Sequence, residues 1–401
     1  MKIKALAITA ICVTMMACNK TENAVPTSIE FPGTVDNEAF ASNVESISVV
    51  NLQMEDNWTF VDILSVCPSE NSLYTIDDSQ MHLSCFDRQT GKKLAGRPIK
   101  GNGPGEINYF NSMFCIGDTL CIYDDKGNIL QYDRNCKFIG KRHEFSDISV
   151  RYNLVRFDSG NYALVSYSNP DAADNNPAIM LVDKDFNITS RHFDVPQAQI
   201  FIIGGSDPCF VVGDTLRTSF YYDCHLYSIC GGTEQVTEFV VPNPITPEKA
   251  NELFASGDFM AINNNYDGGF YTAGGSGRFM MFGYHIDKDN YRAMVDYRKN
   301  KAISMLVSDV EDNFESAATI VSNLILKSMP TKSADGCIYA LCKNRDFAKI
   351  LEGHDDVLDA RLQKTQAEYR AYLERNAEYM KDLESEEREA VLVLMKIKLK
   401  D

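Results

Sequence analysis

The sequence predicts an all-β fold, a six-bladed β-propeller built from four-stranded antiparallel blades. Short apolar strands separated by polar turns recur along the chain, and the recurrence has about the length of one propeller blade. Hydrophobic residues make up 44% of the 401 residues, which is enough for a large packed core. Two packed β-sandwiches would also contain many short strands and stay open as an alternative.

The clearest repeat relates residues 72–88 to residues 119–134. Each copy has an apolar strand that ends in two aspartates, at positions 77–78 and 124–125. A turn and a second strand follow, and this strand ends in an aromatic-Asp-Arg element in both copies. The physical unit is a pair of antiparallel strands joined by a polar hairpin, in which aspartate side chains accept bonds from backbone amides. Adjacent acids on a strand point to opposite faces, so we expect turn capping rather than acid–base catalysis.

Weaker copies of this unit continue towards the C-terminus. The steps between equivalent positions run from 42 to 68 residues, around the roughly 40 to 50 residues of one blade. Six copies therefore predict six blades. The positions taken as equivalent are Leu73, Leu120, Tyr162, Leu216, Phe270 and Ile338.

The N-terminus carries an export signal. A basic start and an apolar run over residues 5–16, too short to span a bilayer, predict a lipoprotein signal peptide over residues 1–17. Met-Met-Ala precedes Cys18, which resembles a bacterial lipobox and predicts lipidation of that cysteine. We expect a flexible lipidated tether over residues 18–43 and the propeller over residues 44–401. An ordinary signal peptide with an incidental cysteine is the alternative.

The expected partners follow from the anchor and the charge. Several acyl chains on one cysteine would hold the protein durably on a membrane. No Asp follows Cys18 to favour the inner membrane, so we expect an outer-membrane lipoprotein of the cell envelope, with its periplasmic or surface face left open. The chain has 56 acidic and 39 basic residues, which argues against nucleic acid because phosphate binding needs clustered Lys and Arg. No apolar run has the eighteen or so residues of a membrane span.

The C-terminal region predicts a helical insertion in the last blade. Residues 355–389 contain no Gly or Pro, and their apolar residues follow helical spacing. Residues 390–400 switch to period two, which predicts the final strand, closing that blade. The apolar stripe of the expected amphipathic helix consists of Leu358, Leu362, Tyr369, Tyr372, Met380 and Leu383.

Cysteine and histidine give little support to a metal site. Ten of the twelve cysteines remain after Cys12 leaves with the signal and Cys18 is lipidated. An even number in an exported chain permits disulfides, whereas their apolar, strand-like settings favour free thiols that pack as small hydrophobes. Both interpretations stay open. Neither Cys-x-x-Cys nor His-Glu-x-x-His occurs and the six histidines are scattered, so we expect no metal and no cofactor.

A Gly-rich run over residues 96–106 is the candidate binding loop. It fails the P-loop spacing, and Glu106 stands where a dinucleotide loop needs its third glycine. Three glycines and a proline within five residues predict a tight inter-blade turn. The alternative is a ligand loop in which Arg97, Lys100, Asn102 and Glu106 present polar groups near the channel mouth.

The same run supports a family resemblance. Gly-Asn-Gly-Pro-Gly-Glu over residues 101–106, the lipobox and the Val-Leu-Val-Leu ending at residues 391–394 resemble the six-bladed β-propeller lipoproteins of Bacteroidota. The resemblance covers nearly all of the mature chain, most strongly in residues 60–140. It implies an NHL-like propeller and an exported lipoprotein, and this family has no generally assigned activity.

The predicted function is a binding module. A propeller channel and its loops form a concave surface that suits a glycan, peptide or protein ligand. The alternatives are an interaction scaffold without a small ligand and a channel-sited hydrolase or lyase. The enzyme would need His225 or His285 to meet two acids at the channel mouth, and residues 274–278 miss the nucleophile-elbow motif, so no catalytic residue is assigned. The candidate channel-mouth residues are Arg151, Tyr221, Tyr222, Tyr266 and Arg278.

Overall fold

The strands form six sheets. The computed structural model describes residues 28–54, 63–77, 80–145, 152–166, 177–194, 209–220 and 223–401. The strands in chain order are β1 (Ser28–Glu30), β2 (Thr34–Val35), β3 (Val44–Val49), β4 (Ile63–Pro68), β5 (Ser72–Asp77), β6 (His82–Asp87), β7 (Lys93–Pro98), β8 (Phe110–Ile116), β9 (Thr119–Asp124), β10 (Asn128–Tyr132), β11 (Phe138–Glu144), β12 (Tyr152–Arg156), β13 (Tyr162–Ser166), β14 (Pro177–Val182), β15 (Ile188–Asp194), β16 (Cys209–Val212), β17 (Thr215–Phe220), β18 (Asp223–Cys230), β19 (Thr233–Val240), β20 (Gly268–Ser276), β21 (Phe279–Ile286), β22 (Asp289–Asp296), β23 (Lys301–Leu306), β24 (Ser328–Ala334), β25 (Cys337–Lys343) and β26 (Leu392–Leu399).

Helices occupy the connections. Among the described residues, no helix is long and apolar enough to cross a membrane. The helices are α1 (Asn37–Ser42), α2 (Pro247–Ser256), α3 (Phe259–Asn265), α4 (Val307–Val310), α5 (Ala317–Leu326), α6 (Asn344–Leu351), α7 (Ala360–Arg375), α8 (Ala377–Lys381) and α9 (Ser385–Ala390).

Each sheet is one blade. Blades 1, 2 and 3 contain β4–β7, β8–β11 and β12–β15. Blade 4 contains β16–β19 with β1 added, and blade 5 contains β20–β23 with β2 added. Blade 6 is ordered β24-β25-β26-β3, so both ends of the chain contribute to it. The first strands of blades 6, 1, 2 and 3 contact one another in that order, as do those of blades 4, 5 and 6, which places the first strands around a central channel.

Turn capping by the repeated acids is confirmed where the structure describes them. Asp124 ends β9, and its Oδ1 accepts hydrogen bonds from the backbone amides of Lys126 at 2.9 Å and Asn128 at 2.7 Å. In blade 1, Asp77 Oδ1 accepts from the amide of Gln80 at 3.1 Å. These bonds satisfy turn donors that the sheet cannot pair.

One position of the sequence repeat was misplaced. Five of the six equivalent residues lie on the second strand of a blade, but Phe270 lies on β20, the first strand of blade 5. The preceding Gly268 and Gly269 have φ values of 117° and 60°, so they resemble a hairpin turn in the sequence although they begin a strand. The hairpin turn between the first two strands of blade 5 is at Gly277 instead, with φ 57°.

The prediction of a flexible tether over residues 18–43 is wrong for residues 28–43, which form strands β1 and β2 and helix α1. Strand β1 pairs in parallel with β19, and β2 pairs in parallel with β23, so this segment joins two blades. The reason is an apolar anchor: the ring of Phe31 is 4% exposed and lies 4.8 Å from Phe270 and 5.0 Å from Tyr284. The predicted signal peptide, Cys18 and residues 18–27 lie outside the described residues.

The C-terminal region differs from the predicted single helix and closing strand. Three helices, α7, α8 and α9, follow one another where the sequence predicts one helix over residues 355–389. Asn376 lies between α7 and α8 and is buried. Its side-chain amide donates a hydrogen bond to Leu52 O at 3.0 Å and accepts one from Met54 N at 2.8 Å. Strand β26 is the third strand of blade 6 rather than the last, and β3 supplies the outermost strand.

Helix α7 covers the free edge of β3. Glu368 Oε2 accepts a hydrogen bond from the amide of Val49 at 2.9 Å, and Thr365 Oγ1 donates one to Ile47 O at 2.6 Å. Edge strands left open invite pairing with other chains. The helix therefore protects the strand that joins the two ends of the chain.

Candidate functional site

A cavity of about 310 Å³ lies at one end of the central channel. We call it the channel cavity. The first strands of blades 1, 2, 3, 4 and 6 contribute to its wall, and all except that of blade 4 do so near their carboxyl ends. The lining residues are Cys67, Pro68, Phe114, Cys115, Val155, Arg156, Phe157, Asp158, Cys209, Val211, Lys332, Ser333, Ala334 and Asp335.

Charged groups of both signs face this cavity. Arg156 and Asp158 are exposed at the end of β12, and Lys332 is half-buried on β24. Arg156 Nη1 donates a hydrogen bond to Cys115 O at 3.1 Å, which holds the guanidinium against the neighbouring blade. Asp335 accepts from Arg88 of blade 1 at 2.5 Å. The cavity can therefore hold a ligand that carries charged or hydrogen-bonding groups.

An aromatic residue separates the channel cavity from a second one. Phe157 is 6% exposed and also lines a cavity of about 270 Å³ between blades 3 and 4, which we call the interblade cavity. Tyr162 and Leu181 lie on the wall of the interblade cavity, and Asp214 and Thr189 are at its polar side. Apolar walls with a few placed polar groups are typical of ligand sites.

Aspartates in the turns between first and second strands link neighbouring blades beside the cavity. Asp118 follows Gly117 in blade 2, and its carboxylate accepts hydrogen bonds from Ser69 and Asn71 of blade 1. Burial acts to raise the pKa of Asp118, but the bonds from Asn71 and Ser69 outweigh it, so the pKa is lowered. Asp214 in blade 4 accepts likewise from the amide of Ser159 in blade 3, at 3.0 Å.

The Gly-rich candidate loop lies at the opposite end of the channel, because it connects the last strand of blade 1 to the first strand of blade 2. Glu106 Oε2 accepts from the amide of its own loop residue Gly103 at 2.8 Å, and Asn102 accepts from Asn108 at 2.9 Å. Gly105 is buried, and its carbonyl accepts from Tyr132 at 3.0 Å. These contacts are those of an inter-blade connection.

The two basic residues of that loop are its other candidate binding residues. Arg97, at the end of β7, and Lys100, next to the buried Ile99, are both exposed to solvent. The charges of both residues are therefore accessible to solvent.

The candidate channel-mouth residues do not come together in the described structure. Arg151, Tyr221 and Tyr222 lie outside the described residues. Tyr266 ends α3 and packs half-buried against a small cluster of Ile245, Ala250 and Ile262.

Arg278 lies at the same end of the channel as the cavity, but its side chain has structural contacts. It forms an ion pair with Asp296 at 3.1 Å and donates to the carbonyl of Asp401 at 3.2 Å. Next to it, Ser276 is 1% exposed and donates to Gly336 O, which does not suit a nucleophile. Arg278 therefore fixes the end of the chain against blade 5.

His225 meets two acids, but away from the channel. Its Nδ1 bonds to Asp223, and Glu238 is its partner across the strand pair. The bond to Asp223 raises the pKa of His225, although burial opposes this. His225 lies on β18, the third strand of blade 4, and Tyr227 donates to the same Asp223 carboxylate. His285, whose Nε2 is 2.9 Å from Tyr266 O, has a pKa lowered by burial.

Cysteines and acids of the described residues gather into no metal site. No group of three or more His, Cys, Asp or Glu side chains in the described ranges could hold an ion. The ten cysteines there are free thiols in this structure.

Six four-stranded or five-stranded sheets around a channel define a six-bladed β-propeller. The chain belongs to the DUF5128 family, a 6-bladed beta-propeller family whose model matches residues 18–322. This confirms the family resemblance drawn from the Gly-rich run and the fold class that it implied.

A solved structure supports the same fold. A protein described as exported, from Bacteroides fragilis, aligns with a TM-score of 0.64 at 17% identity, over 94% of this chain and 99% of that chain. A member of the DUF4221 family from Bacteroides vulgatus aligns with a TM-score of 0.49 at 9% identity, over 89% of this chain and 99% of that chain. The first likeness shows the fold alone. The chain matches no curated protein.

Sequence reasoning missed the charged residues of the channel cavity. Arg156, Asp158 and Asp335 stand at or directly after the end of a first strand, beside a Gly-containing hairpin turn. An alignment of the six repeats on these turns would have placed them at one end of the channel. The sequence repeat was anchored on second strands, which do not line it.

Proposed function

We propose that this chain is an exported binding module of the cell envelope that takes its ligand in the channel cavity. The observation that carries the proposal is the lining of this cavity. First strands of five blades converge there, and cations and anions stand beside buried aromatic rings. A rigid wall made of strands positions such groups with little loss of entropy on binding.

The ligand class follows from the lining. Arg156 and Lys332 offer cationic donors, and Asp158 offers an acceptor. Phe157 provides an apolar wall between this cavity and the interblade cavity, against which an apolar part of the ligand can pack. A peptide or a glycan with charged groups matches this combination better than a purely apolar compound.

The proposed location rests on the N-terminus. The signal peptide and the lipidation of Cys18 would anchor the protein on the outer membrane, and the similar Bacteroides fragilis protein is described as exported. Strand β1 begins only ten residues after Cys18, so an anchor there would keep the propeller within about 35 Å of the membrane.

A ligand screen with blocked cavities tests the proposal. Thermal unfolding is recorded with a panel of peptides and glycans, since a ligand at 100 times its Kd stabilises by about 2.7 kcal/mol. Ala334→Trp fills the channel cavity, and Thr189→Trp, on the exposed side of the interblade cavity, is the matched control. We expect the shift given by a binding compound to disappear in Ala334→Trp and to persist in Thr189→Trp.

Two results would contradict the proposal. A shift that survives Ala334→Trp unchanged would place the ligand elsewhere on the molecule. No shift with any compound of the panel would favour the interaction scaffold, which needs no small ligand.

A further inference from the structure

Two cysteines on adjacent first strands lie in contact. Cys67 is on β4 of blade 1 and Cys115 is on β8 of blade 2, and their Sγ atoms are 3.1 Å apart. The two strands contact each other along the channel. Both thiols line the channel cavity.

The two cysteines differ in how far they are buried. Cys67 is 2% exposed, whereas Cys115 is half-buried and reachable from the cavity. A reagent in the cavity that reacts with one of these sulfurs therefore meets the other sulfur as the neighbour able to displace it.

The spacing argues for a covalent bond rather than a metal. Two sulfurs on a tetrahedral zinc ion, with Zn–S bonds of about 2.3 Å, would lie about 3.8 Å apart. A disulfide has an S–S bond of about 2.05 Å, so the pair needs to close by only about 1 Å. No third His, Cys, Asp or Glu side chain of the described residues completes a metal site with them.

We propose that Cys67 and Cys115 form a disulfide that joins blades 1 and 2 at the channel cavity once the chain meets a disulfide oxidant. The thiolate of Cys115 attacks one sulfur of the oxidant disulfide and releases its other half as a thiolate. The thiolate of Cys67 then attacks the Cys115 sulfur and releases the second half. The protein loses two electrons and two protons, and the oxidant disulfide becomes two thiols. This proposal does not depend on the proposed ligand.

Peptide mapping of the oxidised full chain tests the bridge. The purified, reduced protein is treated with oxidised glutathione, alkylated and digested with trypsin. Trypsin leaves Cys67 with Cys85 on residues 21–88, and Cys115 with Cys121 on residues 101–126. We expect these two peptides to be found joined, two hydrogen atoms lighter than their sum.

Single substitutions assign the bond within the joined peptides. Cys115→Ser and Cys67→Ala should each abolish the joined species. Cys121→Ser and Cys85→Ser are the matched controls on the same peptides and should retain it. The proposal is overturned if the joined species survives Cys115→Ser, or if the wild-type thiols at 67 and 115 stay fully alkylatable after oxidation. The unfolding transition of each variant shows whether it is folded. One folded variant of Cys115→Ser and Cys67→Ala is sufficient to test the assignment of the bond.

Discussion

The carboxylate of Asp118 in blade 2 accepts two hydrogen bonds from Asn71 in blade 1, one from the backbone N–H at 3.0 Å and one from the side-chain Nδ2 at 2.8 Å. Ser69 donates a third at 2.7 Å. Blades contact their neighbours mainly through apolar side chains, which are tolerant of small shifts. A carboxylate with three donors from the next blade fixes their relative position at the end of the channel where the cavity lies.

Removal of this carboxylate should loosen blades 1 and 2. Asp118→Ala leaves Ser69 and Asn71 without their acceptor, and hydrogen bonds to charged groups contribute about 1.5 to 3 kcal/mol each when well shielded. Since the site is half-buried, we expect the free energy of unfolding to fall by about 2 kcal/mol, measured by urea denaturation. Asp185→Ala, at an exposed turn of blade 3, should change it by less than about 0.5 kcal/mol. Equal losses in the two variants would contradict the inter-blade role.

Much of the fold follows from the sequence because the repeat is local. Each unit needs only a strand, an acid that caps a turn and a second strand, and all three are visible at 72–88 and 119–134. The parts that were mispredicted depend on distant contacts. Ile29 and Phe31 lie in a polar segment, and nothing near them indicates that their partners are Phe239 and Phe270, more than 200 residues away.

The buried glycine of the Gly-rich run should resist substitution. Gly105 has φ 73°, and a Cβ atom there would lie 2.3 Å from the ring of Phe138 in blade 2. Both the left-handed backbone and the clash cost energy, so Gly105→Ala should lower the free energy of unfolding by about 3 kcal/mol. Gly117 has φ 57° and open space around it, so Gly117→Ala should lose only about 1 kcal/mol. Similar midpoints in urea for both variants would mean that the contact with Phe138 is unimportant.

The N-terminal strands should contribute to stability. Phe31→Ala empties an aromatic cluster between blades 4 and 5, and such truncations cost about 3 to 5 kcal/mol. Val35→Ala, at a side chain that is 45% exposed, is the control and should be nearly neutral. Denaturant unfolding measures the difference. If residues 28–43 acted as a tether, Phe31→Ala would be as neutral as Val35→Ala.

Histidine titration should separate His225 from His82 and His285. The bond to Asp223 raises the pKa of His225 above 6.5, whereas burial lowers the pKa of His82 and His285. His225 therefore contributes stability that is fully present below pH 6.5 and is lost as the pH rises through its folded pKa. His82 and His285 act in the opposite direction and reduce stability as the pH falls below 6.5. Ring-proton NMR titration checks the order of the midpoints, and a His225 midpoint below that of His285 would contradict it.

An alignment of the repeats would place the charged residues at one end of the channel, but the sequence does not show that they line one cavity, because they are ordinary surface charges until the blades are assembled. Lys332 and Arg156 are separated by 176 positions, and neither belongs to a motif. The Gly-rich run attracted attention through its composition, which is instead explained by the close approach of Gly105 to blade 2. Composition shows where the backbone is unusual, but a cavity depends on which strands become neighbours.

Charge reversal at the two ends of the channel tests the central claim most directly. The compound with the largest thermal shift is titrated by calorimetry into the Arg156→Glu/Lys332→Glu variant and into the matched Arg97→Glu/Lys100→Glu variant. If the ligand binds in the channel cavity, the first variant should weaken Kd by about tenfold or more, equivalent to about 1.4 kcal/mol, and the second should leave it unchanged. The reverse result, with binding lost only when Arg97 and Lys100 are reversed, would assign the ligand to the Gly-rich loop and contradict the account.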